Sequence, residues 1–280
     1  IYVDATFGGG GHSKAILQKL GKTGKLIAID QDKNAEKNII NDKRFTFVRG
    51  NFRWVENYLE YLQIDEIDGV LADLGVSWHH FNEKDRGFSF LSNVELDMRM
   101  NTESELTAGI ILETYEQNQL AKIFKENGEL KFAYKLSQDI VNQRNQVDVK
   151  QTQNFVEMVS KYTKPNNKNK ILAQVFQALR IEVNQEIEAL EEFLNACKNI
   201  IKPGGRLAVI SYHSIEDRMV KNIIRSGNIQ GKIEQDIYGN IAGEWIAVNR
   251  KIIIPSEKEI EINSKSRSAK LRIAERKIDE

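Results

Sequence analysis

Asp4-Ala5-Thr6-Phe7-Gly8-Gly9-Gly10-Gly11-His12-Ser13 is the stretch on which the reading of the fold turns. It follows a short β-branched run, Ile1–Ala5, and leads into a helical period at Ser13, Ile16, Leu17 and Leu20. Four glycines between a strand and a helix let a ligand approach the backbone and meet helix N–H groups. A bare turn would not call for four, because each glycine loses more backbone freedom on folding than another residue would. The cluster alone does not distinguish one nucleotide cofactor from another.

Working outward, Lys25–Asp30 reads as a second strand, Asn34–Ile40 as a helix and Phe45–Val48 as a third strand. Trp54–Leu62 suits another helix, and Gly69–Gly75 a fourth strand apolar enough to be buried on both faces. Strands alternating with short helices predict a parallel sheet in an α/β domain. Asp30 ends the second strand about twenty residues after the glycines, where a carboxylate accepts hydrogen bonds from ribose hydroxyls. A surface carboxylate is the plain alternative, and a dinucleotide would suit the same pair of features.

The texture changes near Met98. From Asn101 to Lys170 no strand-like run occurs, and helical periods recur instead at Leu120, Ile123 and Phe124, at Phe132, Leu136, Ile140 and Val141, and at Phe155, Val156 and Val159. Lys164–Lys170 reads as a polar linker. The chain thus divides into an α/β domain made of residues 1–97 and 171–280, with an all-helical domain inserted over 98–170. After the insertion, Ile171–Ile201 carries one long helical pattern, closed by Lys202-Pro203-Gly204-Gly205. Arg206–Ser211 is a buried strand, Glu244–Ile254 a further strand stopping at Pro255, and Ser264–Lys277 a basic tail.

Forty Lys and Arg balance forty Asp and Glu across 280 residues. A net charge of zero rules out attraction to nucleic acid or membrane through bulk charge, so any such contact must come from a local patch. The 41% hydrophobic content supports a core and argues against disorder throughout. One cysteine, Cys197, excludes an intramolecular disulfide framework and fits a reducing, cytoplasmic compartment. It falls on an apolar helical face and reads as packing. No run approaches a membrane span, and the chain begins inside an apparent strand, which implies that residues precede Ile1.

A Pro-Gly-Gly corner before a late strand is common in Rossmann-like methyltransferases that use S-adenosyl-L-methionine. A dehydrogenase would need a second binding half or a catalytic acid–base pair, and the sequence offers no candidate for either. DATFGGGGHS, DGVLADLGVS, DRGFSF with LDMRM, FQALRIEVNQEI, KPGGRLAVISYHSIEDRMVK and RSAKLRIAER then occur in order from Asp4 to Arg276. Together they resemble the bacterial family that methylates cytosine N4 in 16S ribosomal RNA. The resemblance implies a Rossmann-like class I methyltransferase sheet with an inserted helical domain, S-adenosyl-L-methionine as cofactor, and 16S ribosomal RNA within the small subunit as partner. It carries cofactor contacts onto Gly10, Gly11, His12, Asp30, Phe52, Asp73 and His80, with Phe52 as an adenine wall.

This chain departs from the family at several points. Ser77-Trp78-His79-His80 stands where the family reads Ser-Ser-Pro-Gln, Gln174 where it favours Arg, and Ser264 where it has Pro. No His, Cys or Asp set with zinc spacing accompanies His79 and His80, so no metal is expected. For catalysis the candidates are Asp73, Ser77 and His213, the last after the late strand at the rim of the crevice. Lys265, Arg267, Lys270, Arg272 and Arg276 in the tail, with Arg86, Arg99 and Arg180, are candidates to hold RNA. Two alternatives stay open: another RNA or protein substrate, and a cofactor-binding assembly factor without turnover.

Overall fold

The computed structural model describes residues 1–75, 86–233, 235, 243–249 and 251–278. The chain forms two compact units, Ile1–Gly75 with Ile187–Glu280, and Val76–Glu186. The sequence places the boundaries of the inserted domain at 98 and 170. They fall elsewhere because Leu96 and Met98, and the apolar residues of the helix Lys168–Asn184, are buried in the helical unit's own core.

Among the described residues, the first unit is built on a seven-stranded sheet of order β3-β2-β1-β4-β5-β7-β6. Its strands are β1 (Tyr2–Asp4), β2 (Leu26–Asp30), β3 (Phe45–Arg49), β4 (Ile67–Asp73), β5 (Ile201–Ser211), β6 (Trp245–Ala247) and β7 (Lys270–Arg276). The first five pair in parallel. The parallel pairing expected of the first four strands is found, and it is β7, antiparallel to both β5 and β6, that makes the sheet mixed. Leu26, Ile27, Ala28 and Ile29 are all buried, the pattern of a central strand covered on both faces. Helices α1 (Gly11–Lys19) and α2 (Val55–Tyr61) follow β1 and β3 in the chain. Between β2 and β3, where a helix was expected over Asn34–Ile40, Lys33–Asn38 forms a 3-10 helix, with the Asp32 side chain accepting from Asn34 N–H.

The helical unit contains α3 (Ala108–Thr114), α4 (Gln117–Glu126), α5 (Ala133–Gln143), α6 (Thr152–Ser160) and α7 (Lys168–Asn184). Phe124, Phe155, Leu112, Leu136 and Leu179 are buried at its centre. Thr107 caps α3 and a Glu116–Gln119 capping box opens α4, which satisfies N–H groups the helices leave unpaired. No strand lies in 101–170 among the described residues; Gln151 makes one isolated bridge, to Glu95.

Two junctions differ from the sequence reading for local reasons. The long helical pattern is two helices, α7 and α8 (Glu186–Ile200), because Gln185 takes a left-handed conformation at φ 49° and ends the first. α7 also starts at Lys168, inside the expected linker. Lys202-Pro203-Gly204-Gly205 does not separate helix from strand; it lies within β5, where Ile201 pairs with Ile67 and Arg206 already pairs with Gly69. The extra residues bulge out there. A Cβ at Gly205 would sit 2.8–2.9 Å from the carbonyl oxygens of Lys202 and Asp68, so only glycine fits.

Toward the C-terminus, α9 (Ser214–Ser226) follows β5 and α10 (Glu257–Ile262) precedes β7. The expected strand over 244–254 shrinks to β6, with Ile253 bridging to Leu271 separately. Half of the basic tail, Lys270–Arg276, is β7, an inner strand of the sheet, and not a free arm.

Candidate active site

The sheet order reverses between β1 and β4: β2 and β3 lie on one side, β5 onward on the other. In an open α/β sheet the crevice outside the carboxyl ends of strands at such a switch point is where ligands bind. Asp4, Asp30 and Asp73 are the last residues of β1, β2 and β4, so the sheet delivers three carboxylates to this edge.

Asp4 works inward. It is fully buried, its Oδ2 accepts from the Ser13 hydroxyl at 2.6 Å and its Oδ1 from Thr6 N–H at 3.2 Å. The first bond ties the end of β1 to the first turn of α1 and so fixes both ends of the glycine turn. Burial raises its pKa, opposed in part by these two hydrogen bonds.

The glycine turn is held from several sides. Gly8 N–H donates to Asp30 Oδ2 at 2.7 Å, and the Asn38 amide donates to Gly8 carbonyl at 3.0 Å. Gly10 has φ 75°, and a Cβ there would lie 3.0 Å from the ring of Phe7, itself buried against Phe45 and Phe47. Gly9 and Gly11 are different: among the described residues, a Cβ at either would meet nothing within 4 Å. Their bareness serves open space beside the turn. Among the described residues no side chain caps α1, whose first-turn N–H groups are therefore available to an anionic group.

Asp30 uses its second oxygen as well, Oδ1 accepting from Asp32 N–H at 2.8 Å. Each carboxylate oxygen has further acceptor capacity, so this carboxylate can brace the turn and still receive ribose hydroxyls. Phe52 opens a 3-10 turn after β3 and packs edge-on to Phe193 at 5.2 Å, half-buried, with part of its surface left open.

Asp73 is the centre of the crevice. Its N–H donates to Thr6 Oγ1 at 2.7 Å, which locks β4 to the loop after β1. Its Oδ1 accepts from the Tyr212 hydroxyl at 2.9 Å, and its Oδ2 lies 3.3 Å from His12 Nε2. The hydrogen bond to Asp73 is the main reason the His12 pKa is raised, and burial opposes it. The Tyr212 pKa is raised too, first by burial and then by the neighbouring Asp73 charge. Tyr212 thus stays a donor across the physiological range.

The sequence-predicted residues therefore separate into groups. Gly10, Gly11, His12, Asp30, Phe52 and Asp73 all stand at the carboxyl edge of the sheet. His213 does something else. Its Nδ1 accepts from Glu216 N–H at 3.4 Å as the N-cap of α9, its Nε2 is 3.1 Å from Glu216 Oε1, and only 9% of it is exposed. That role as a buried helix cap, not as an open group at the rim, is where the structure puts it. Ser77 and His80, with Trp78 and His79, lie outside the described residues. Cys197 is fully buried with its thiol pKa pushed up by burial, as packing requires.

Sequence reasoning missed Tyr212, Ser13, Thr6 and Asn38 as parts of the site. Tyr212 and Asp73 are 139 residues apart, and no local pattern joins them. Several proposed RNA-binding cations are engaged within the protein. Arg272 is bidentate to Asp217 at 2.7 and 3.2 Å, Arg276 donates to Ile201 carbonyl, and Arg99 and Arg180 pair with Asp97 and Glu186. Arg86 is buried, donating to Met100 carbonyl at 3.1 Å.

A sheet with this strand order and β7 reversed, a glycine turn and acidic residues ending β1, β2 and β4, is the Rossmann-like arrangement that the resemblance to methyltransferases implied. The particular kind follows from comparison with known proteins. A model of the MraW methylase family matches residues 1–277. A ribosomal RNA small subunit methyltransferase H from Bacteroides thetaiotaomicron is 55% identical over 99% of this chain and 91% of its own length. Its namesakes from Christiangramia forsetii and Flavobacterium johnsoniae are 51% and 49% identical, over 90% and 91% of their lengths. The chain belongs to the MraW methylase family, and it is a methyltransferase.

Proposed function

We propose that this enzyme transfers the methyl group of S-adenosyl-L-methionine to the N4 amino group of a cytosine in 16S ribosomal RNA of the small subunit. The observation that carries this reading is near-complete, 55% identical coverage by a relative named as a small-subunit ribosomal RNA methyltransferase. The crevice fits such a cofactor. The bare turn at Gly9 and Gly11 leaves room beside the backbone, and the uncapped start of α1 suits the amino acid carboxylate. Asp30 suits the ribose hydroxyls and Phe52 the adenine face.

When bound, the cofactor supplies an electrophilic sulfonium methyl. Cytosine N4 is a poor nucleophile because its lone pair is delocalised into the ring, so the protein's task is alignment and charge. Holding the reacting atoms about 3 Å apart in line contributes several kcal/mol. Asp73, fixed by Tyr212, His12 and Thr6, is a preorganised negative charge near which a developing positive charge on the amino group is favoured. His80 is assigned to the cofactor by resemblance, Ser77 is the candidate near the base, and His213 acts by holding the start of α9. Gly10, Gly11, His12, Asp30, Phe52 and Asp73 belong to the α/β unit, and the helical unit with the segment before β7 helps engage RNA. A base in structured RNA leaves its stack to reach this crevice.

No helix among the described residues is long and apolar enough to cross a membrane. This reading locates the enzyme in the cytoplasm with its ribosomal substrate. The test is incubation with methyl-labelled cofactor and unmethylated small subunits. Label is expected in 16S RNA; label in a ribosomal protein, or cofactor binding with no transfer, overturns the proposal in favour of a protein methyltransferase or an assembly factor.

A further inference from the structure

The α/β unit has a second concavity, separate from the methyl-transfer crevice, at the C-terminal end of α9 and beside β6. It has a volume of about 200 Å³, with Ile224 and Ile273 among its apolar lining and Lys221, Arg225, Lys251 and Arg272 as its charged groups. Among the described residues, none that lines it is acidic. Arg272 is neutralised by Asp217. Among the described residues, Lys221, Arg225 and Lys251 pair with no carboxylate, and all three are exposed. In a chain whose charges sum to zero, this is a local cationic surface with an apolar floor.

We propose that this cleft is a second RNA-binding site that grips the sugar–phosphate backbone of the substrate while the target cytosine occupies the crevice. The proposal rests on the ribosomal RNA reading above. Cations on a rim answer phosphates, and the apolar floor with the planar Arg225 guanidinium answers the faces of unstacked bases. The fold links the two sites through α9. Tyr212, just before its N-terminus, bonds Asp73, and Lys221 and Arg225 follow Ser214 by about 10 and 16 Å along the helix at 1.5 Å per residue. An RNA strand held at the far end of a rigid helix is thereby held in register with the reacting base.

The test uses purified full-length enzyme and unmethylated small ribosomal subunits. The triple variant Lys221→Ala, Arg225→Ala, Lys251→Ala is expected to bind subunits at least tenfold more weakly at low salt. The slope of log affinity against log salt should shrink by about 2, the value for three lost phosphate contacts to single-stranded RNA. Affinity for S-adenosylhomocysteine should not change, which also reports that the variant is folded. Lys251→Glu alone, at one exposed residue, should show the same trend, and Lys221→Arg with Lys251→Arg should bind like wild type. Retained affinity and salt slope in the triple variant overturn the proposal. So does a photo-crosslinker at Asn249, also in the cleft, that tags only ribosomal protein; tagging of 16S RNA supports it. If wild-type enzyme neither binds nor methylates the subunits, the ribosomal reading itself fails; if wild type binds and the variant is unaltered, the cleft alone is eliminated.

Discussion

Replacing Asp30 by Asn separates bracing from ligand binding, because the two side chains are isosteric and differ in what they can accept. In the native turn one carboxylate oxygen accepts from Gly8 N–H at 2.7 Å and the other from Asp32 N–H at 2.8 Å. An amide has one oxygen, so in either orientation its NH2 group faces a backbone N–H. At least one charge-assisted bond is lost and a half-buried donor is left unmet, which costs about 1–3 kcal/mol before any ligand is present. That corresponds to local opening roughly 5–150 times more frequent. Amide hydrogen exchange on the cofactor-free protein reads it directly: Gly8 or Asp32 should lose protection by such a factor while the amides of β2 keep theirs. Calorimetry with S-adenosylhomocysteine should show weakened binding in the same variant. Unchanged protection at both amides, with binding still weakened, would refute the bracing argument and leave Asp30 as a ligand residue only.

Tyr212→Phe removes the hydroxyl that holds Asp73 Oδ1, so kcat should fall with little change in global stability; an unchanged kcat would show that the carboxylate needs no such support. The pH dependence of the His12–Asp73 pair has a definite sign. Because the folded pKa of His12 is raised, its stabilising contribution is complete below the ordinary imidazole value of 6.5 and is lost as pH rises through the raised one. Denaturant titrations should find that part of the decline in stability on the alkaline side is absent in His12→Gln. Gly10→Ala forces a side chain into a left-handed backbone against Phe7 and should cost about 1–2 kcal/mol, measurable by denaturant unfolding. Arg272→Ala breaks a bidentate pair with Asp217 between β7 and α9 and should destabilise by about 1–3 kcal/mol with cofactor affinity retained.

β2 and, less completely, β4 were legible because burial on both faces writes an apolar run, whereas β3, an edge strand with no buried residue, was marked by the strand-forming residues Phe45, Thr46, Phe47 and Val48. The β7 strand was obscured by its charge. Lys270 and Arg272 alternate with Leu271 and Ile273, a period of two that was present but outweighed by the basic count of the segment. Gln185 ends α7 in a left-handed conformation without glycine or proline to announce it, so two helices read as one. The same limit applies to the site. Glycines at a strand–helix turn and carboxylates at strand ends follow from chain-local rules, whereas the Tyr212–Asp73 and Asn38–Gly8 bonds exist only once the sheet has assembled. His213 shows the converse: a residue type suited to catalysis was taken up by the capping of the helix it precedes.

The central claim is that this crevice directs a methyl group to one exocyclic nitrogen of ribosomal RNA. The most direct measurement is mass spectrometry of nucleosides from 16S RNA after reaction of unmethylated small subunits with the purified enzyme and methyl-labelled S-adenosyl-L-methionine. The account predicts label in N4-methylcytidine at a single cytosine, lost when Asp73 is replaced by Ala. Label in 5-methylcytidine or in a 2′-O-methyl ribose would contradict it.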